Sequence, residues 1–149
     1  VGITKFDGEL RLNRQLSLDE HNFLVDLHNS QPSDKLMEGQ PTSFCQWEPS
    51  RDGWVIKWDE GEEEFCLYVE WLEFLITAYF APRGYILNGT LAYQGEDIGD
   101  LGQIFVENNV VRKVEAVMVG SVRQCPSCGH QWRDWEGRHD GPALCRPVP

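Results

Sequence analysis

The spacing of apolar positions changes several times along this 149-residue chain, and each change marks an element. Glu9-Leu10-Arg11-Leu12 alternates, as a half-buried strand does. Ser17-Leu18-Asp19-Glu20 then reads as a capping box, in which the Ser17 hydroxyl accepts from the Glu20 backbone N–H and the Glu20 carboxylate reaches back. The helix it opens places Phe23, Leu24 and Leu27 on one side. Residues 29–41 are polar and punctuated by Pro and Gly, a long loop. Runs 43–47 and 54–58 flank residues 48–53 and predict a hairpin with Trp54, Ile56 and Trp58 on one face.

The best amphipathic helix is predicted over 64–80, where Phe65, Tyr68, Val69, Leu72, Leu75, Ile76 and Tyr79 recur at helical spacing. Glu70 and Glu73 fall on its wet edge, and Pro82 and Gly84 close it. The acidic run 59–64 stands before this helix, where the macrodipole favours carboxylates. Residues 85–94, 103–107 and 110–119 read as strands. Gly89 marks a bulge or a close backbone contact, and Asn108-Asn109 a tight turn, because Asn tolerates positive φ. The order is β-α-ββ-α-βββ. It predicts an α+β fold, mainly an antiparallel sheet packed with two helices, followed by a small zinc-ribbon-like tail.

Composition fits this picture. With 41% apolar residues and six Trp, the chain can bury a core without disulfides. No run approaches a membrane span, and the first residues lack the basic and apolar regions of a signal peptide, so a cytoplasmic protein is expected. Five cysteines, with three clustered near the end, do not form a disulfide framework. Cys45 and Cys66 are expected to pack as small buried hydrophobes. His21 and His28 are expected to be ordinary boundary histidines.

Charge divides the chain. Residues 1–121 carry nine Lys and Arg against 21 Asp and Glu, a net of −12, whereas residues 122–149 carry four Arg against three acids, a net of +1. We therefore divide it into an acidic α+β domain, 1–121, and a tail, 122–149. Such an acidic body repels phosphate backbones, which argues against direct nucleic-acid binding; it can instead engage a basic protein, the alternative being that the surplus carboxylates serve only to keep the chain soluble.

The tail holds the most specific chemistry. Cys125-Pro126-Ser127-Cys128-Gly129-His130 puts two thiols three positions apart on a turn, and His139 and Cys145 can return from the far side to complete a tetrahedron around Zn2+. His130, two residues past Cys128, is the alternative fourth ligand, but it would have to double back. Iron usually takes four thiolates. Four protein ligands leave no open position, so a structural site is expected, covered by Trp132 and Trp135. Arg123, Arg133, Arg138 and Arg146 with the two Trp offer a weaker nucleic-acid or protein contact face.

In the body, Glu96, Asp97 and Asp100 form a candidate Mg2+ or Ca2+ loop, although their spacing is not that of an EF-hand. No nucleophile paired with a base, phosphate-binding glycine loop or zinc-protease motif occurs.

The stretches Tyr68-Val69-Glu70-Trp71-Leu72-Glu73-Phe74-Leu75-Ile76 and Gly84-Tyr85-Ile86-Leu87-Asn88-Gly89, with Gln94-Gly95-Glu96-Asp97, resemble a family of small uncharacterised proteins from bacteria and their phages. The resemblance covers about the middle half of the chain. The zinc-like tail departs from that family's pattern, in which the chain ends soon after the last strand. The resemblance implies a soluble, cytoplasmic accessory protein of prokaryotic or mobile-element origin and assigns no catalytic residue. Three functions follow in order of preference: a non-catalytic interaction protein with a zinc-stapled tail, an acidic inhibitor mimicking nucleic acid, and a metal-dependent enzyme using Glu96, Asp97 and Asp100.

Overall fold

The structure, a computed structural model, describes residues 3–29, 37–97, 99–119, 122–125 and 131–132. Among these, six strands form one antiparallel sheet: β1 (Lys5–Leu12), β2 (Trp47–Pro49), β3 (Val55–Trp58), β4 (Leu87–Gln94), β5 (Leu101–Glu107) and β6 (Val110–Glu115), in the spatial order β2-β3-β1-β4-β5-β6. Two helices, α1 (Leu18–His28) and α2 (Tyr68–Leu75), cover one face. The α+β body has the expected element order. Beyond it, β7 (Val117–Val119), β8 (Val122–Gln124) and β9 (Gln131–Trp132) make a separate antiparallel sheet.

β1 and β4 form the spine, paired over eight residues from Lys5↔Gln94 to Leu12↔Leu87. Their alternation sends Phe6, Leu10, Leu12, Leu87, Leu91 and Tyr93 toward the helices, while Lys5, Asp7, Glu9 and Arg11 face water. The pair approaches closely at two glycines. A Cβ on Gly8 (φ 117°) would lie 2.5 Å from the Thr90 carbonyl oxygen, and one on Gly89 (φ 153°) 2.6 Å from that of Glu9. Gly89 is therefore a close contact within an unbroken register.

The Ser17–Glu20 capping box forms in both directions, and α1 buries Leu24 and Leu27. α2 begins at Tyr68, later than the sequence predicts. Phe65 drops into an aromatic cluster with Phe6, Trp47 and Tyr68, and Leu67 takes the left-handed conformation (φ 57°) before the first turn. The acidic run 59–64 thus ends short of the helix, and only Glu70 occupies its first turn. After Leu75 the helix widens into a π turn (Ile76–Phe80), which lets consecutive Tyr79 and Phe80 both be buried. A 3-10 turn (Ala81–Arg83) and Gly84 (φ 80°) then end it.

The β2–β3 hairpin is shifted toward its loop, with Trp47↔Trp58 as an inward pair and Trp54 half-buried beneath Arg11. The indole N–H groups of Trp47, Trp58 and Trp71 donate to the Tyr68 carbonyl, Gln46 Oε1 and Thr42 Oγ1 at 3.0, 3.0 and 2.7 Å. Asn108 (φ 48°) and Asn109 (φ 69°) make the expected tight turn between β5 and β6. The run predicted as one strand over 110–119 breaks at buried Ala116, where the chain leaves the large sheet for the small one.

Candidate functional site

The segment with the expected zinc ligands begins where β8 ends. β8 and β9 pair antiparallel through Arg123↔Trp132 and Gln124↔Gln131, so residues 125–130 connect two paired strands. Cys125 follows β8 directly. It is buried against Phe105, with Val114 packed alongside, on the face of the large sheet opposite the helices. That outward face explains why both sides of β5 are buried: Ile104 and Val106 meet the helices, and Phe105 meets the start of the tail. The other expected ligands, Cys128, His139 and Cys145, lie outside the described residues, as do His130 and Trp135. The small sheet takes β7 from one side of residue 121 and β8 from the other.

The acidic loop after β4 is held by its own backbone. Gly95 N–H donates to the Asp100 carbonyl at 2.7 Å, and Asp100 N–H to the Asp97 carbonyl at 3.1 Å. Glu96 accepts from the Ile3 N–H at 3.3 Å. Among the described residues, no three His, Cys, Asp or Glu side chains are arranged to hold a metal ion, so Glu96, Asp97 and Asp100 do not converge as the ion-loop expectation requires. Each carboxylate is exposed on a short turn.

The two lone cysteines divide. Cys45 is buried, as expected; burial pushes its thiol up to about 12, and it contacts the Trp47 carbonyl. Cys66 is exposed, contrary to expectation, because Phe65 takes the core position and the chain turns outward before α2. His21 contacts the Ser50 carbonyl at 2.9 Å. His28 lies 2.7 Å from an Asp59 oxygen and 3.9 Å from one of Glu48, tying the end of α1 to the β2–β3 hairpin. Residues so far apart in sequence carry no spacing signal for such a contact.

Two further groupings were invisible in the sequence. In one, Glu20 accepts from the Tyr85 hydroxyl and from Ser17 Oγ, while Arg14 and Arg83 lie over the rings of Tyr85 and Tyr79, each at 3.9 Å. Donation from Tyr85 holds the Glu20 carboxyl below its ordinary range, and burial raises the Tyr85 phenol. In the other, the Lys113 ammonium sits 5.1 Å from the Tyr68 ring and 4.9 Å from the Tyr93 ring. The Tyr93 hydroxyl is buried and has no hydrogen-bond partner among the described residues, and burial lifts its phenol well above the usual range. Leu67, Tyr68, Val69, Glu70, Glu73 and Lys113 line an open groove of about 410 Å3 beside this pair.

Sheet direction brings the acidic segments together. β3 and β4 both run antiparallel to β1 and flank it, so residues 59–64 and 95–100 leave the sheet at the same end, beside the start of β1. The start of α2 lies at that end too, since Tyr68 packs on Phe6 and Tyr93. No protein-family model, curated protein or solved structure matches the chain. No helix among the described residues is long and apolar enough to cross a membrane.

Proposed function

We propose that this chain is a non-catalytic accessory protein that binds a basic protein partner and carries a structural Zn2+ held by Cys125, Cys128, His139 and Cys145. The observation that carries the metal half is the antiparallel pairing of β8 and β9 on either side of residues 125–130. A hairpin of this kind points two knuckle thiolates at one ion, and burial of Cys125 against Phe105 suits a site that staples the tail to the body. The partner half rests on a net of −12 over residues 1–121, with both acidic loops at one end of the sheet. The proposed setting is the bacterial or phage cytoplasm.

Native mass spectrometry with elemental analysis, on protein purified without chelator or metal-binding tag, tests the metal half. One zinc per chain, lost in Cys128→Ser, is the expected result, and metal-free wild-type protein overturns it. Retention of zinc in His139→Ala and its loss in His130→Ala would exchange the fourth ligand.

The shared end of the two acidic loops also favours a second reading, an inhibitor that presents carboxylates in place of nucleic-acid phosphates. Its mark is competition. The chain would displace labelled duplex DNA or RNA from the basic protein it binds, whereas an accessory protein would leave that complex intact.

A further inference from the structure

The groove beside α2 stands out because several kinds of group meet there and leave their binding capacity unused. Leu67 is 47% exposed at its mouth, and it holds a left-handed backbone conformation that a leucine rarely adopts. Residues kept in such conformations cluster at binding and switching sites. Val69 and the Tyr68 ring continue the apolar wall. Glu70 and Glu73, one helical turn apart, are exposed on the same flank, and neither forms an ion pair among the described residues. Lys113, opposite them, is likewise without a carboxylate partner and rests on two tyrosine faces. The groove also lies at the end of the sheet from which both acidic loops emerge.

We infer that this groove is the docking site for a basic amphipathic segment of the partner, with an arginine on the Glu70–Glu73 pair and an apolar side chain against Leu67 and Val69. The inference rests on the basic-partner reading above and adds to it the surface and the chemistry of what binds. Charge complementarity selects the occupant. The carboxylate pair and surrounding acidic loops attract a cationic segment and repel polyanions, while the planar guanidinium matches carboxylates better than an ammonium does. The exposed apolar wall demands more than charge, since a purely cationic chain would leave Leu67 and Val69 in water. Lys113 fixes polarity, repelling the partner's arginine from the β6 side and directing it onto α2.

The test uses the full chain with its metal and two short fluorescent peptides, one interspersing arginine with leucine at helical spacing and one of the same charge without leucine. Fluorescence anisotropy at physiological salt reads affinity. Wild type is expected to prefer the leucine-containing peptide, and Glu70→Gln with Glu73→Gln, or Leu67→Asn, to weaken it roughly tenfold. Asn accepts the left-handed conformation and adds no charge, so the Leu67 variant keeps its fold and removes only the apolar contact, and far-UV circular dichroism checks the fold. Glu62→Gln with Glu63→Gln, outside the groove, controls for general charge. Equal affinity of groove variants and wild type, or equal loss in the control, overturns the groove while leaving a basic partner in place. Failure of wild type to bind either peptide overturns the groove and removes the basic-partner reading as well.

Discussion

At the scale of single residues, Ser17 and Glu20 cap one helix turn between them, and Asn109 sits where only a residue tolerant of positive φ fits. Gly8 and Gly89 lie where β1 and β4 approach closely, and a Cβ on Gly8 would meet the Thr90 carbonyl oxygen. Gly8→Ala and Gly89→Ala must each adopt a conformation disfavoured for L-residues and push two spine strands apart. Each is expected to lose about 2 kcal/mol or more in urea unfolding, whereas alanine at exposed Gly99, where nothing lies within 4 Å, meets only the conformational part. Glu20 adds a pH dependence. Its folded carboxyl is held low, chiefly by the Tyr85 hydroxyl, so its stabilising contribution is present above the unfolded value of about 4.3 and is lost as pH falls through the lower folded value. Glu20→Gln is expected to flatten the fall in urea midpoint between about pH 6 and about pH 3. A slope equal to that of wild type would show that the carboxylate is not selectively stabilised.

At the scale of elements, the pattern predicted that a helix and a hairpin exist better than where they begin. Carboxylates favour a helix start and so point to Glu64, but Phe65 has the stronger claim on the core and delays the helix to Tyr68. The same competition exposes Cys66. The break at Ala116 was equally hidden, because Val114 and Val117 read as one strand although the chain changes sheets between them. Asn109 works across elements. Its side chain accepts from the Leu87 N–H at 2.7 Å and donates to the Tyr85 carbonyl at 3.0 Å, so the β5–β6 turn also fixes the start of β4. Asn109→Gly keeps the turn and loses those bonds, while Asn109→Ala loses both. Thermal or urea denaturation is expected to rank wild type above Gly and Gly above Ala, with about 1–3 kcal/mol lost on the first step. Equal stability of wild type and the Gly variant would show that the side-chain bonds contribute nothing net.

At the scale of the whole molecule, the order of strands was illegible in the sequence, and the meaning of the charged segments depends on it. Residues 59–64 and 95–100 are a strand, a helix and a loop apart in sequence. They share one end of the sheet only because β3 and β4 both flank β1. The tail shows the same dependence: its cysteine spacing is local and readable, but the burial of Cys125 against Phe105 on the far face of the sheet is not. That contact determines what metal removal should do. The spine pairs β1 with β4 and β4 with β5 and has its own core of Leu10, Leu91 and Ile104, none of it dependent on the tail. On the zinc reading, a strong chelator is therefore expected to free one metal and speed amide exchange in β7, β8 and β9 while β1 and β4 keep their protection. Phe105 and Val114 face Cys125, so the amides around them should fall between the two groups. Exchange accelerated across all strands together would make the metal part of the global fold. Unchanged exchange after verified zinc loss would show that the small sheet stands without it, leaving Cys125 as a packing residue alone.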